Sequence, residues 1–116
     1  KTYYIDMREE VINKYKKLLS DCYPSEAFWT NKGIILRNIY ELVNCLEFGT
    51  DEHCFRYHVN TDNGKNDFAL WIRAVFKDDE LADRLQKVYD RKKYLKIIKQ
   101  KVKEAESNTN FVAPIQ

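Results

Sequence analysis

The sequence predicts a mainly α-helical fold, a compact domain of five or six helices with one small β-hairpin. Glycine and proline are scarce, with three and two copies among 116 residues, and a β-barrel or sandwich needs many more tight turns. Apolar residues instead recur at the three- and four-residue spacing of amphipathic helices. Hydrophobic residues make up 44% of the chain, which is enough for one core. We predict a single domain over residues 1–107 and a loose tail over residues 108–116.

The N-terminal region predicts a first helix over about residues 7–21, with Asp6 as its capping side chain. Its apolar positions fall three or four residues apart, at Val11, Tyr15, Leu18 and Cys22. Pro24 follows this stretch, and the residue before a proline avoids the α conformation. The helix is therefore expected to end before Pro24.

One β-hairpin is predicted, over residues 28–36. Two short apolar runs flank the turn sequence Asn31-Lys32-Gly33, and glycine is the residue that most readily adopts the positive φ of such a turn. No other segment has a convincing strand pattern, so the rest of the chain is assigned to helices and loops.

Five more helical segments each begin at a side chain that can cap a helix. These residues are Asn38, Thr50, Asn66, Asp78 or Asp79, and Asp90. Gly49 is the expected end of the helix that starts after Asn38, and residues 60–65 are predicted to form a polar loop. The last helix is expected to reach about Ser107.

The last predicted helix is the most basic segment of the chain. Seven basic residues and no acidic residue occur in it between positions 91 and 103: Arg91, Lys92, Lys93, Lys96, Lys99, Lys101 and Lys103. Such a helix can bind nucleic acid or anionic lipid, whereas a packed helix can also have a solvated basic face. Because the net charge is only +2, we prefer the packed helix and keep a nucleic-acid-binding module as the alternative function.

Cys54 and His58 are the pair that suggests nucleophilic catalysis, since residues four apart share a helix face. No third group that would orient the histidine is evident, and a buried thiol beside a histidine that hydrogen-bonds the backbone is the commoner arrangement. His53 and His58 lie on different helix faces, which disfavours a metal site. A glycine-rich phosphate loop is also missing from the sequence. We therefore predict no enzymatic activity, no metal and no cofactor.

The cysteines and the hydropathy pattern predict a cytoplasmic protein that does not bind membranes. Cys22, Cys45 and Cys54 lie in apolar patterns without CxxC spacing, as expected of buried free thiols in a reducing compartment. No apolar run approaches the roughly 20 residues that span a bilayer, and the first residues lack the apolar core of a secretory signal.

Aromatic residues are abundant, with eight Tyr, six Phe and two Trp. Tyrosine and arginine are favoured anchors of protein interfaces. On this ground four residues are candidate partner-binding residues: Tyr40, Tyr89, Arg91 and Tyr94. The alternative interpretation is that the tyrosine rings cover the edge of a small core. The expected partner is another protein and is expected to be an enzyme. The long last helix could also form the interface of a homodimer.

Three segments of the middle region form a distinctive pattern. They are Phe55-Arg56-Tyr57-His58-Val59-Asn60, Asn66-Asp67-Phe68-Ala69-Leu70-Trp71-Ile72-Arg73 and Asp78-Asp79-Glu80-Leu81-Ala82. Over roughly residues 28–88 the chain resembles a small family of bacterial and archaeal domains of unknown function. The resemblance implies a compact helical module with no known activity. Its characteristic residues are interpreted as structural, namely Tyr57, His58, Asn66, Asp67, Phe68 and Trp71.

Within this pattern, Asn66 and Asp67 would cap a helix while Phe68 and Trp71 fill the core. In size and in its Lys-, Asn- and Tyr-rich composition, the chain is also similar to Legionella effector-associated inhibitors of ubiquitin deamidase effectors. That similarity implies an inhibitor that covers its partner's ubiquitin- or substrate-binding surface, delivered into a host cell. The predicted function is thus a non-enzymatic protein-binding domain that inhibits or regulates a partner enzyme.

Overall fold

Helices form most of the described chain, which confirms the predicted fold class. The computed structural model describes residues 2–49 and 51–110, with side chains from residue 8 onward. These ranges contain six α-helices: α1 (Thr2–Leu19), α2 (Ile39–Asn44), α3 (Glu52–His58), α4 (Asp67–Trp71), α5 (Asp79–Leu85) and α6 (Arg91–Thr109). Two of them continue as π-helical turns, α2 over Cys45–Gly49 and α4 over Ile72–Phe76, and Pro24–Glu26 forms a 3-10 turn.

The first hairpin lies where the sequence predicts it. Strand β1 (Phe28–Trp29) pairs antiparallel with β2 (Ile35–Leu36), and Gly33 adopts a φ of 81° in the turn between them. Strand alternation sends Leu36 into the core and leaves Trp29 and its cross-strand partner Ile35 in solvent.

A second hairpin replaces part of the predicted polar loop over residues 60–65. Strand β3 (Val59–Asn60) pairs antiparallel with β4 (Lys65–Asn66), and the connecting turn contains Gly64 at a φ of 68°. The prediction that one hairpin accounts for all strands was therefore wrong. Strands β3 and β4 consist mostly of polar residues, so no apolar runs mark them in the sequence as they mark β1 and β2.

Four helices begin at predicted caps. The side chains of Asn38, Asn66, Asp78 and Asp90 each accept a hydrogen bond from the backbone N–H three residues later, which satisfies one of the free amides at a helix start. Asp67 has no capping role, because it is the first residue of α4 and its carboxylate lies against His58.

Three helices differ from the predictions at one or both ends. Helix α1 begins at Thr2, so Asp6 lies inside it, and it ends at Leu19. Asp51 caps α3 by accepting from the N–H of Cys54, whereas the predicted start, Thr50, lies outside the described residues. Helix α6 ends at Thr109 and so includes the first two residues of the predicted tail, and residues 111–116 lie outside the described residues.

The core is built around α6, which packs against α1, α2 and α5. The predicted core residues Phe68 and Trp71 are buried, as are Ile72 and Val75 of the same helical segment, while Val11 of the predicted α1 stripe is exposed. Cys45 and Cys54 are buried as predicted, and Cys22 is half-buried. None of the helices in the described part of the chain is both long and apolar enough to span a bilayer.

Asn66 is the polar centre of this core. Its side-chain oxygen accepts hydrogen bonds from the N–H of Ala69 at 3.3 Å and from the hydroxyl of Tyr94 at 2.6 Å, and its amide donates to the carbonyl of Leu85 at 2.8 Å. One buried side chain therefore ties the start of α4 to the end of α5 and to α6.

Candidate functional site

His58 anchors the first hairpin to the core. Its ring is buried, and its Nε2 accepts a hydrogen bond from the backbone N–H of Asn31 at 3.0 Å. The imidazole must then carry its proton on Nδ1, which lies 2.9 Å from the carboxylate of Asp67. The Phe28 ring packs edge-on against the imidazole, with ring centroids 5.1 Å apart. The hairpin is thus held at a fixed place on α3 and α4.

The geometry around Cys54 is that of a structural thiol. Cys54 is 1% exposed, and its thiol donates to the side-chain oxygen of Asn31 at 2.7 Å. Asp67 is the orienting carboxylate that sequence reasoning could not identify. Both nitrogens of His58 are nevertheless occupied, by Asp67 and by Asn31, so His58 does not face Cys54 as a general base. The interpretation of a buried thiol beside a backbone-bonded histidine is confirmed, and the absence of enzymatic activity stays a prediction.

Among the described residues, no group of three or more His, Cys, Asp or Glu side chains could hold a metal ion. His53 is exposed while His58 is buried, so the two imidazoles differ in environment as their spacing predicts.

Several large apolar side chains around the first hairpin are in solvent. Trp29 is 66% exposed and Phe48 is 79% exposed, and Ile34 and Ile35 are also exposed. A Cβ placed on Gly49 would lie 3.6 Å from Cδ1 of Ile34, so the hairpin rests on the π-helical end of α2, next to Phe48. We call these four residues, Trp29, Ile34, Ile35 and Phe48, the hairpin patch.

The turn that presents the hairpin patch is closed by its own hydrogen bonds. The N–H of Thr30 donates to the carbonyl of Ile34 at 2.9 Å, and the N–H of Ile34 donates to the hydroxyl of Thr30 at 3.0 Å. Together with the bond from Asn31 to His58, they fix the backbone that presents Trp29. A preformed apolar surface loses little conformational entropy when it binds.

A groove of about 580 Å³ runs between α2 and α6 on another surface. Its apolar lining is Tyr40, Val43, Leu95 and Val102. Lys92, Lys96, Lys99 and Lys103 line it along α6. Spacings of four, three and four residues place these lysines in one row on the helix. We call this feature the lysine groove.

The four predicted partner-binding residues have different environments. Tyr40 is half-buried in the lysine groove and donates its hydroxyl to Glu106 at 2.8 Å. Tyr89 is half-buried. The guanidinium of Arg91 donates to the carbonyl of Leu46 at 2.8 Å and to Glu52 at 3.0 Å. Tyr94 has 0% exposure and is a core residue, so its prediction as a contact residue was wrong.

Sequence reasoning missed the hairpin patch altogether. Trp29 and Ile35 lie in the two apolar runs that predict the hairpin, and strand alternation around the inward Leu36 assigns both to its outer face. Phe48 lies off the apolar stripe of its helix and just before Gly49, which was a usable signal. Tyr57, predicted to be structural, is likewise exposed, and the ammonium of Lys65 lies 4.1 Å from the centre of its ring.

Part of the basic charge on α6 is neutralised inside the molecule. Arg91 pairs with Glu52, and Lys99 pairs with Glu47. Lys101 is 6% exposed and lies 2.8 Å from a carboxylate oxygen of Glu80. Burial alone would lower the pKa of Lys101, but the surrounding carboxylates outweigh it and raise this pKa. The basic face that remains in solvent is therefore smaller than the sequence suggests.

Ionisation of tyrosines is expected to weaken the fold above about pH 10. Burial raises the pKa of Tyr94, and burial with the hydrogen bond to Glu106 raises the pKa of Tyr40. Both phenols keep their protons in the folded chain at pH values where the unfolded chain loses them. Their contribution to stability is complete below the unfolded-state pKa of about 10 and falls as the pH rises further.

Urea unfolding at increasing alkaline pH should show this fall in the free energy of unfolding, with a shallower slope in a Tyr94→Phe variant. The same slope in both proteins would contradict the assignment of the effect to Tyr94.

The fold and its surfaces define a small helical domain with a structural histidine, an exposed apolar patch and a groove bordered by lysines. Residues 36–113 match the model of a family of unknown function, DUF5752, and the chain belongs to this family. The predicted resemblance to a family of unknown function is thus confirmed, but the match starts later than expected and continues into α6. No curated protein and no solved structure matches the chain. The similarity to Legionella inhibitors has no counterpart in these comparisons.

Proposed function

We propose that this chain is a non-enzymatic protein-binding domain that contacts its partner through the hairpin patch. The proposal is supported above all by the exposure of two large aromatic residues, Trp29 at 66% and Phe48 at 79%. Removing a large apolar side chain from water contributes about 1.5–3 kcal/mol, and aromatic residues are preferred anchors at protein interfaces. Two such exposed rings, one on the first hairpin and one at the π-helical end of α2 beside it, favour a contact with another protein.

The partner is proposed to be an enzyme that the domain inhibits or regulates. A rigid apolar surface that covers a substrate-binding face is a simple way to inhibit, because it requires no chemistry from the inhibitor. By resemblance to the Legionella inhibitors, a ubiquitin-deamidating effector is the first purified enzyme to test. Delivery into a host cell would follow from that partner, and a homodimer is a further candidate complex.

Affinity capture from the native lysate tests the proposal. The tagged chain is compared with a Trp29→Ser/Phe48→Ser variant and with a Tyr23→Ser/Leu70→Ser control, which removes two other exposed apolar side chains. We expect a stoichiometric protein partner with the wild type and the control, and about a tenfold or greater loss with the patch variant. Circular dichroism verifies that all three proteins are folded.

Equal capture by the patch variant and the wild type would exclude the hairpin patch as the contact surface. Loss of capture in a folded Cys54→Ser variant would instead favour a thiol enzyme.

The alternative function, nucleic-acid binding, is supported by one observation. Lys92, Lys93, Lys96 and Lys103 are exposed on α6 and form no ion pair with any described residue. Dividing the lysate into nuclease-treated and untreated halves separates the two functions. Nucleic acid in the untreated eluate, with protein partners lost after nuclease, would replace our proposal with this alternative.

A further inference from the structure

We infer that the lysine groove, a surface separate from the hairpin patch, binds an acidic amphipathic helix of a partner protein. The inference rests on the proposed protein-binding function, but it uses other residues and can fail independently. The apolar face of the bound helix would fill the groove, and its carboxylates would face the lysine row.

The shape of the groove suits a helix. Tyr40 and Val43 from α2 and Leu95 and Val102 from α6 supply an apolar lining within about 580 Å³. From Lys92 to Glu106 the lining follows α6 for about 21 Å, since an α-helix rises 1.5 Å per residue. That length accommodates about four turns of a bound helix. Binding a helix by its apolar face in such a groove is a recurring mode of peptide recognition.

The charge along the groove is complementary to an acidic partner. The row of Lys92, Lys96, Lys99 and Lys103 follows one side of the apolar lining. Lys99 pairs with Glu47, whereas the other three form no ion pair with any described residue. Three ammonium groups beside an apolar surface attract carboxylates and set the orientation of the bound segment.

The apolar lining argues against nucleic acid as the occupant. It would stay unfilled beneath a phosphate chain, whereas leucine side chains on a helix would fill it. Glu106, which accepts from Tyr40, and Glu47, which pairs with Lys99, repel phosphates and carboxylates alike. These two residues therefore do not distinguish the occupants, and the apolar lining does.

The test uses fluorescein-labelled synthetic peptides and fluorescence anisotropy. The probe is a peptide of about 18 residues with leucines at helical spacing on one face and glutamates on the other. A scrambled peptide of the same composition removes the apolar face, and a peptide with lysine for glutamate reverses the charge. We expect the wild-type chain to bind the probe at least about tenfold more tightly than either control peptide.

Variants of the chain locate the site. Lys92→Gln/Lys96→Gln is expected to weaken binding of the probe about tenfold. The matched control Lys87→Gln/Lys93→Gln makes the same change in net charge outside the groove lining and is expected to change the affinity less than about twofold. The Trp29→Ser/Phe48→Ser variant should bind the probe as the wild type does.

Equal weakening by the two lysine variants, equal binding of the scrambled peptide or no binding of the probe would each overturn the inference. Binding of polyuridylate that depends on Lys92 and Lys96, without binding of the probe, would assign the groove to nucleic acid instead. If the probe does not bind while the hairpin patch still captures a protein partner, the inference about the lysine groove is wrong and the proposed function stands.

Discussion

Replacing Asn66 with alanine is expected to lower the free energy of unfolding by about 3–5 kcal/mol. The substitution removes the cap of α4 and the acceptor of the Tyr94 hydroxyl, and it leaves the carbonyl of Leu85 with only the bond from the N–H of Val88. Asn66 is 8% exposed and Tyr94 is 0% exposed, so little water can replace the lost hydrogen bonds. Urea unfolding of the variant and the wild type measures the difference.

Two matched variants separate the contributions at Asn66. Tyr94→Phe removes only the hydroxyl and is expected to cost about 1–2 kcal/mol. Asn38→Ala removes a cap of the same type from α2, where the amide of Asn38 donates to the exposed Asp21. This substitution should lower the free energy of unfolding by about 1–2 kcal/mol. A loss in Asn66→Ala no larger than in Asn38→Ala would show that the buried hydrogen bonds add nothing to the cap.

Replacing His58 with leucine is expected to cost about 2–3 kcal/mol and to loosen the first hairpin. Leucine keeps an apolar side chain in the buried site but cannot accept from the N–H of Asn31 or donate to Asp67. The backbone amide of Asn31 should therefore exchange its hydrogen faster in the variant. Because this amide holds the turn that presents the hairpin patch, capture of the partner should weaken as well.

Cys54→Ser is the matched control for His58, since a hydroxyl can still donate to Asn31. We expect this variant to lose less stability than His58→Leu and to retain capture of the partner. Unchanged protection of the Asn31 amide in His58→Leu would show that His58 does not anchor the hairpin.

Sequence reasoning succeeded where the determinants of structure are local. A cap is a contact between residues three apart, so Asn38, Asn66, Asp78 and Asp90 were found from spacing alone. Gly33 was found in the same way, because a positive φ in a short turn favours glycine.

Sequence reasoning failed where distant parts of the chain meet. The burial of Tyr94 depends on Asn66, 28 residues away, and that of Lys101 depends on Glu80, 21 residues away. Phe48 lies near the first hairpin because the side chain of Ile34 packs close to the neighbouring Gly49. Helical periodicity can mark Phe48 and the row of lysines as lying off the apolar stripes, but it carries no information about which distant residues lie beside them.

We propose above all that a partner protein covers the hairpin patch, and amide hydrogen exchange measures this coverage residue by residue. Exchange is measured on the chain alone and in complex with the captured partner. We predict slower exchange in the complex for the amides of residues 29–35 and 46–49, which surround Trp29 and Phe48. Protection confined to other segments, with these amides exchanging as they do in the free chain, would contradict the claim.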